Sequence, residues 1–163
     1  MNIIEHALTM EKDGEAYYRE LASKAKYKGI KEIFNMLADT EAEHYKAFLQ
    51  LKNNNTILIS EEDLYPKIKN IFQQIKLENK PVGLQQSEID AYIKARNIEK
   101  ESRDFYLQQY ETMSDPIEKE LCLKIAEEEH QHYIILDNII NFMSSPDTWL
   151  EDAEWSNMDL DMY

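Results

Sequence analysis

The sequence predicts an all-α protein, a four-helix bundle with one long crossover between its second and third helices. Three observations carry this. The 163 residues hold 3 Gly and 4 Pro with charged residues at 31%, which suits long helices better than many turns. Apolar residues recur in steps of three and four along four long segments, the period of one helix face. The chain also repeats itself. Residues 7–53 laid on 95–141 give eleven identities, among them Ala7/Ala95, Lys12/Lys100, Tyr18/Tyr106, Ala38/Ala126 and Tyr45/Tyr133, and an internal duplication of a helical hairpin explains them.

The first helix reads Ile4, Leu8, Glu11, Gly14, Tyr18, Leu21 and Ala25 along one face. The second reads Ile30, Phe34, Leu37, Glu41, His44, Phe48 and Leu51, so Glu41 and His44 point inward. The third reads Ala95, Glu99, Ser102, Tyr106, Tyr110 and Met113, with Ser87 as a candidate cap. The fourth reads Leu121, Ile125, Glu129, His132, Leu136 and Met143, opened by Ser114-Asp115-Pro116. Short breaks near Lys26 to Gly29 and near Ser114 make each consecutive pair an antiparallel hairpin. Between the hairpins runs a crossover, about 54–86. Within it Leu64, Ile68, Ile71 and Ile75 predict a short amphipathic helix that covers the bundle. A helix of about 25 residues is about 37 Å long, and a connection of this length can travel back along it.

The expected organisation is one domain over residues 1–143 and a tail over 144–163. The tail has acidic residues, Trp149 and Trp155, and no Lys or Arg. It is expected to dock its tryptophans on the bundle or on a second subunit, with a poorly ordered terminus as the alternative. A net charge of −14 argues against nucleic acid or an anionic membrane as partner and suits a protein that gathers cations. Cys122 is the single cysteine, so the sequence offers neither a disulfide framework nor a Cys-x-x-Cys motif. It opens straight into helical periodicity and has no apolar stretch of membrane-spanning length, so the expected location is cytoplasmic.

The chemistry is carried by six residues. Glu11 with Glu41-x-x-His44 is repeated as Glu99 with Glu129-x-x-His132, each member 88 residues after its counterpart. A lone Glu-x-x-His is weak evidence, and a lone inward His or Glu is more often a hydrogen-bonded core group. Six such groups at matching levels of a bundle are a different matter, because each buried ion left unpaired costs several kcal/mol. No Lys or Arg falls on the stripes. Two divalent cations would balance four carboxylates and accept both imidazoles through neutral nitrogens. One Glu from each of two helices with Glu-x-x-His from each of the other two is the way helical bundles hold two iron or manganese ions. Glu41 and Glu129 are expected to bridge, with Glu11 and Glu99 terminal and one histidine for each metal. Glu127-x-x-His130 is a competing match about 200° around the helix and is read as a solvated or partly covered face. His6 is read as a surface residue. Tyr18 and Tyr106 lie two turns after their glutamates, either as core aromatics or as hydrogen-bond donors to ligand carboxylates. Gly14 and Ser102, one turn after each glutamate, leave room beside the metals for oxygen, peroxide or water.

With these motifs set out, the sequence resembles the ferritin-like di-iron carboxylate proteins, and among them the rubrerythrin branch. The resemblance rests on Ala7-x3-Glu11-x-Asp13-Gly14-x2-Tyr17-Tyr18, Leu37-Ala38-Asp39-x-Glu41-x2-His44, Glu99-x5-Phe105-Tyr106 and Ala126-x2-Glu129-x2-His132. It spans residues 1 to about 143, and Trp149 to Trp155 is similar to the tail of some small members. It implies a ferritin-like bundle that forms a homodimer and a non-haem di-iron centre that reacts with hydrogen peroxide or dioxygen, as a peroxidase or oxidase in oxidative-stress defence. The implied metal ligands are Glu11, Glu41, His44, Glu99, Glu129 and His132, holding two metal ions, iron first and manganese or zinc as alternatives. The sequence departs from the pattern twice. The four cysteines of a rubredoxin module are absent, which calls for a separate rubredoxin-like electron donor, and Ser102 stands where full rubrerythrins have a further glutamate. Two other functions fit the same residues: a non-catalytic iron-binding or iron-handling protein, and a metal-stabilised bundle that serves as an interaction module.

Overall fold

The computed structural model of the chain describes residues 2–60, 63–77 and 85–144, and these are helical with no strand among them. Five helices follow in order: α1 (Ile3–Lys24), α2 (Lys28–Lys52), α3 (Tyr65–Leu77), α4 (Gln86–Thr112) and α5 (Pro116–Ser144). The chain divides into two compact units, Met1–Glu78 and Asn79–Tyr163, and each holds one half of the repeat. The tail beyond Ser144, with both tryptophans, lies outside the described residues, as does part of the crossover.

In the first unit α1 and α2 form an antiparallel hairpin. An ion pair between Glu5 and Lys52 (3.5 Å) ties the start of α1 to the end of α2. Arg19, farther along α1, reaches Asp39 at 2.6 Å. Asn2 caps α1, its Oδ1 accepting from the Glu5 amide at 2.8 Å. Ile30, Ile33, Phe34, Leu37, Ala38, Ala47 and Phe48 of α2 are buried, and Ala7, Tyr18, Leu21 and Ala22 of α1 complete the apolar face. α3 packs on α2 through a face slightly rotated from the predicted one: Tyr65, Ile68, Phe72 and Ile75 are buried, while Leu64 and Ile71 are half-buried. Gly29 opens α2 beneath it. A Cβ there would stand 2.6 Å from Ile71 Cγ2 and 3.0 Å from Ile75 Cδ1, so the glycine permits the close approach.

In the second unit α4 and α5 form the corresponding hairpin, joined by Arg96 and Asp137 at 2.7 Å. α5 begins as predicted. Asp115 Oδ1 accepts from the Ile117 amide at 2.8 Å, with Pro116 in the first helical position. The start of α4 corrects the sequence reading. The helix is capped at Gln85, not Ser87, because the Glu88 carboxylate turns back to accept from the Gln85 amide at 3.3 Å and closes the first turn two residues earlier. α5 is also buried around more of its circumference than one stripe, with Ile134, Ile135, Ile139, Ile140 and Phe142 joining the predicted positions.

Candidate metal centre

Each unit places one predicted triad on the inner face of its hairpin. Glu11 sits in the middle of α1, while Glu41 and His44 sit one turn apart on α2, flanked by Leu37, Ala38, Ala47 and Phe48. In the second unit Glu99 of α4 faces Glu129 and His132 of α5 between Ile125, Ala126 and Leu136. All six residues expose 3% of their surface or less. The ligand atoms of Glu11, Glu41 and His44 lie within 4.8 Å of one another, and so do those of Glu99, Glu129 and His132. Every grouping of His, Cys, Asp and Glu among the described residues that could hold a metal draws its members from these six.

The two triads agree in geometry as well as in sequence. His44 Nδ1 lies 3.3 Å from Glu11 Oε2, and His132 Nδ1 lies 3.3 Å from Glu99 Oε1. In the first unit Glu41 Oε2 is 3.9 Å from the same His44 nitrogen. A charge-assisted N–H···O bond runs to about 2.7–2.9 Å, shorter than the observed spacing. Two donors each about 2.1 Å from one cation, at angles between octahedral and tetrahedral, are about 3.0–3.4 Å apart. The separation is that of a long hydrogen bond and also that of two donors on a shared cation. The donor set agrees with the second, since oxygen and neutral imidazole are the ligands of iron, manganese and zinc. Cys122 is no competitor. Burial, with the nearby charge of Glu118, pushes its thiol up to about 11, and its Sγ rests 3.7 Å from Met113 Sδ.

The neighbours explain how the triads are held. Tyr18 and Tyr106 are buried two turns along from Glu11 and Glu99; Tyr18 stacks on Phe34 with ring centres 6.3 Å apart, and Tyr106 meets Phe105 edge-on at 5.3 Å. Gly14 has a more specific role than the general room expected of it. A Cβ there would stand 3.2 Å from Glu41 Oε2 and 3.5 Å from Glu41 Cδ, so the missing side chain makes space for that carboxylate. The sequence reading missed a second feature: a cation lies over the ring of the tyrosine that follows each histidine. Lys12 stands 5.7 Å from the Tyr45 ring centre and Arg96 stands 5.8 Å from that of Tyr133. The identities Lys12/Lys100 and Tyr45/Tyr133 hinted at it, but Lys100 turns instead to Asp104 at 3.1 Å. The competing Glu127-x-x-His130 match stays outside the triad. Glu127 is exposed, and half-buried His130 has its Nδ1 3.4 Å from Arg103 Nη1 and its ring stacked on Tyr133. His6 is exposed.

The sequence model of the family described as Rubrerythrin matches residues 2–140. The chain belongs to the rubrerythrin family. Its fold is accordingly a ferritin-like helical bundle, and membership in the rubrerythrin family brings with it the binding of metal by buried carboxylates and histidines. Among solved structures, a hypothetical protein from Pyrococcus furiosus matches with a TM-score of 0.65 and 23% identity, over 87% of this chain and 88% of that one, a likeness of fold alone. No curated protein matches. No described helix of this rubrerythrin-family chain is long and apolar enough to cross a membrane.

Proposed function

We propose that this chain is a cytoplasmic di-iron oxidoreductase of rubrerythrin type that reduces hydrogen peroxide or dioxygen in oxidative-stress defence and works as a homodimer. The observation that carries the reading is the pair of buried triads, each with two carboxylates and one imidazole and each with the same 3.3 Å spacing. Glu11, Glu41 and His44 would hold one ion and Glu99, Glu129 and His132 the other. Manganese or zinc would accept the same donors. When bound, two iron ions supply the two electrons that turn hydrogen peroxide and two protons into two molecules of water.

The chain's own residues supply the rest. Four carboxylates offset the charge of two divalent ions, so the site forms without leaving a net charge in the core. Phe34, Leu37, Phe48, Ile125 and Leu136 are fully or almost fully buried along the ligand-bearing helices and keep water from those faces. The phenols of Tyr18 and Tyr106, buried two turns along from Glu11 and Glu99, would direct a proton toward a ligand carboxylate. A rubredoxin-type centre needs four thiolates and this sequence holds one cysteine, so the electrons come from a donor outside these 163 residues, of rubredoxin-like character. The test is to load the protein with ferrous iron, exclude air and add hydrogen peroxide. The expected result is consumption of one peroxide per chain with a new near-ultraviolet absorption of ferric iron. Two irons that stay ferrous and leave the peroxide intact would overturn the oxidoreductase reading and favour metal handling or a structural role.

A further inference from the structure

The repeat that makes the two triads alike differs one turn after the first glutamate of each, where α1 has half-buried Gly14 and α4 has buried Ser102. Position 14 and its counterpart 102 each lie one helical turn after the glutamate of α1 or α4. Position 14 has no side chain, and a Cβ there would stand 3.2 Å from Glu41 Oε2, 3.5 Å from its Cδ and 3.6 Å from its Cγ. The contact with Oε2 is closer than an ordinary van der Waals contact, so that oxygen would have to retreat by a few tenths of an ångström. Ser102 is buried on the same stripe as Glu99 and Tyr106 and carries the Cβ that position 14 lacks. A mid-helix glycine is otherwise unfavourable relative to alanine, so its presence in α1 calls for a reason. The contact with Glu41 supplies one.

We propose that Gly14 is a positioning residue for Glu41, and that the Gly14/Ser102 difference makes the two metal positions inequivalent, the first depending on an empty space and the second built around a side chain. This rests on the di-metal reading above. Groups that orient a ligand change metal affinity by about 10- to 100-fold when altered, and a shift of a few tenths of an ångström in a ligand oxygen acts in the same way. The consequence is an asymmetric tolerance. Alanine at position 102 keeps the Cβ and changes little, whereas alanine at position 14 displaces a ligand. The effect on stability without metal has the opposite sign, since alanine is the better helix former and the atoms it meets are the far end of a flexible side chain.

The experiment is a cobalt(II) titration of the metal-free wild type, Gly14→Ala and Ser102→Ala, followed by visible absorption and paired with thermal melts without metal. The expected result has three parts. Wild type binds two ions, Gly14→Ala binds one of them about 10- to 100-fold more weakly, and Ser102→Ala binds both within about twofold of wild type. Without metal, Gly14→Ala melts at or above wild type. Unchanged affinity of both ions in Gly14→Ala overturns this inference and leaves the di-metal reading standing. Equal losses in Gly14→Ala and Ser102→Ala overturn the inequivalence. A Gly14→Ala chain that fails to fold, or melts well below wild type without metal, overturns it too, because the space would then serve packing. A wild type that takes up no cobalt overturns the di-metal reading and this inference with it.

Discussion

Replacing Glu41 with glutamine tests whether the first triad is a metal site or a hydrogen-bonded core cluster, because the two predict opposite signs. The substitution keeps shape and volume and removes one charge. In the metal-free protein Glu41 and Glu11 each have a ligand oxygen within 4.8 Å of the other. Two like charges at that distance repel by about 3.5 kcal/mol at an effective dielectric of about 20, before the loss of any hydrogen bond the carboxylate makes is subtracted. Glu41→Gln therefore stabilises the metal-free protein by about 2–3 kcal/mol, or about 5–10 °C in Tm for a chain of this size. With metal the sign reverses. An ion at 100 times its Kd stabilises the wild type by about 2.7 kcal/mol, and a variant short of an anionic ligand gains far less. The assay is thermal unfolding followed by circular dichroism at pH 8, in chelator and then in excess zinc or cobalt. Destabilisation in chelator would refute the reasoning, as would equal stabilisation of both proteins by metal, since each fits a carboxylate needed for hydrogen bonding alone.

His44→Ala and His132→Ala should each lower the metal content from two ions per chain to about one, and the double variant to near none, as read by elemental analysis; wild-type content in either single variant would contradict the triad assignment. Gly29→Ala should destabilise the chain by about 1–2 kcal/mol in chemical denaturation, since a Cβ 2.6 Å from Ile71 overpacks a core at about 1–3 kcal/mol and the helix-propensity gain offsets less than 1 at this first turn; a rise in stability would count against the α2–α3 packing. Burial, helped by the charge of Glu88, pushes the Tyr92 phenol up to about 12 and, with Glu118, the Cys122 thiol up to about 11. Both groups are held neutral in the fold beyond the pH at which the unfolded chain ionises, so stability falls as pH rises from about 9 to about 12. Tyr92→Phe should flatten the upper part of that fall, and an unchanged profile would remove Tyr92 as its source.

The parts of the fold visible in the sequence were those written in periodicity. Helical steps place α1, α2, α4 and α5, and Asp115-Pro116 marks the start of α5 because a side-chain acceptor and a missing N–H both suit a first turn. The site was legible for a different reason: duplication supplies an independent second copy of each triad, which a single Glu-x-x-His lacks. The features that escaped depend on contacts between segments. Phe72, not Ile71, anchors α3, because the turn of a short helix is set by what it packs on. Gln85 caps α4 through a carboxylate that reaches back from Glu88, which Ser87 masked as the better intrinsic cap. The cation over Tyr133 comes from Arg96 and not from Lys100, a choice made by the Arg96–Asp137 pair. Gly14 was visible as an oddity, but only the distance to Glu41 gives it a role.

The most direct test of the central claim is anomalous diffraction at the iron edge from crystals of the full chain grown with ferrous iron. Two peaks per chain are expected, one within bonding distance of Glu11, Glu41 and His44 and one within bonding distance of Glu99, Glu129 and His132. No peak at these six side chains, or iron bound only elsewhere on the acidic surface, would contradict the claim that they form a metal centre.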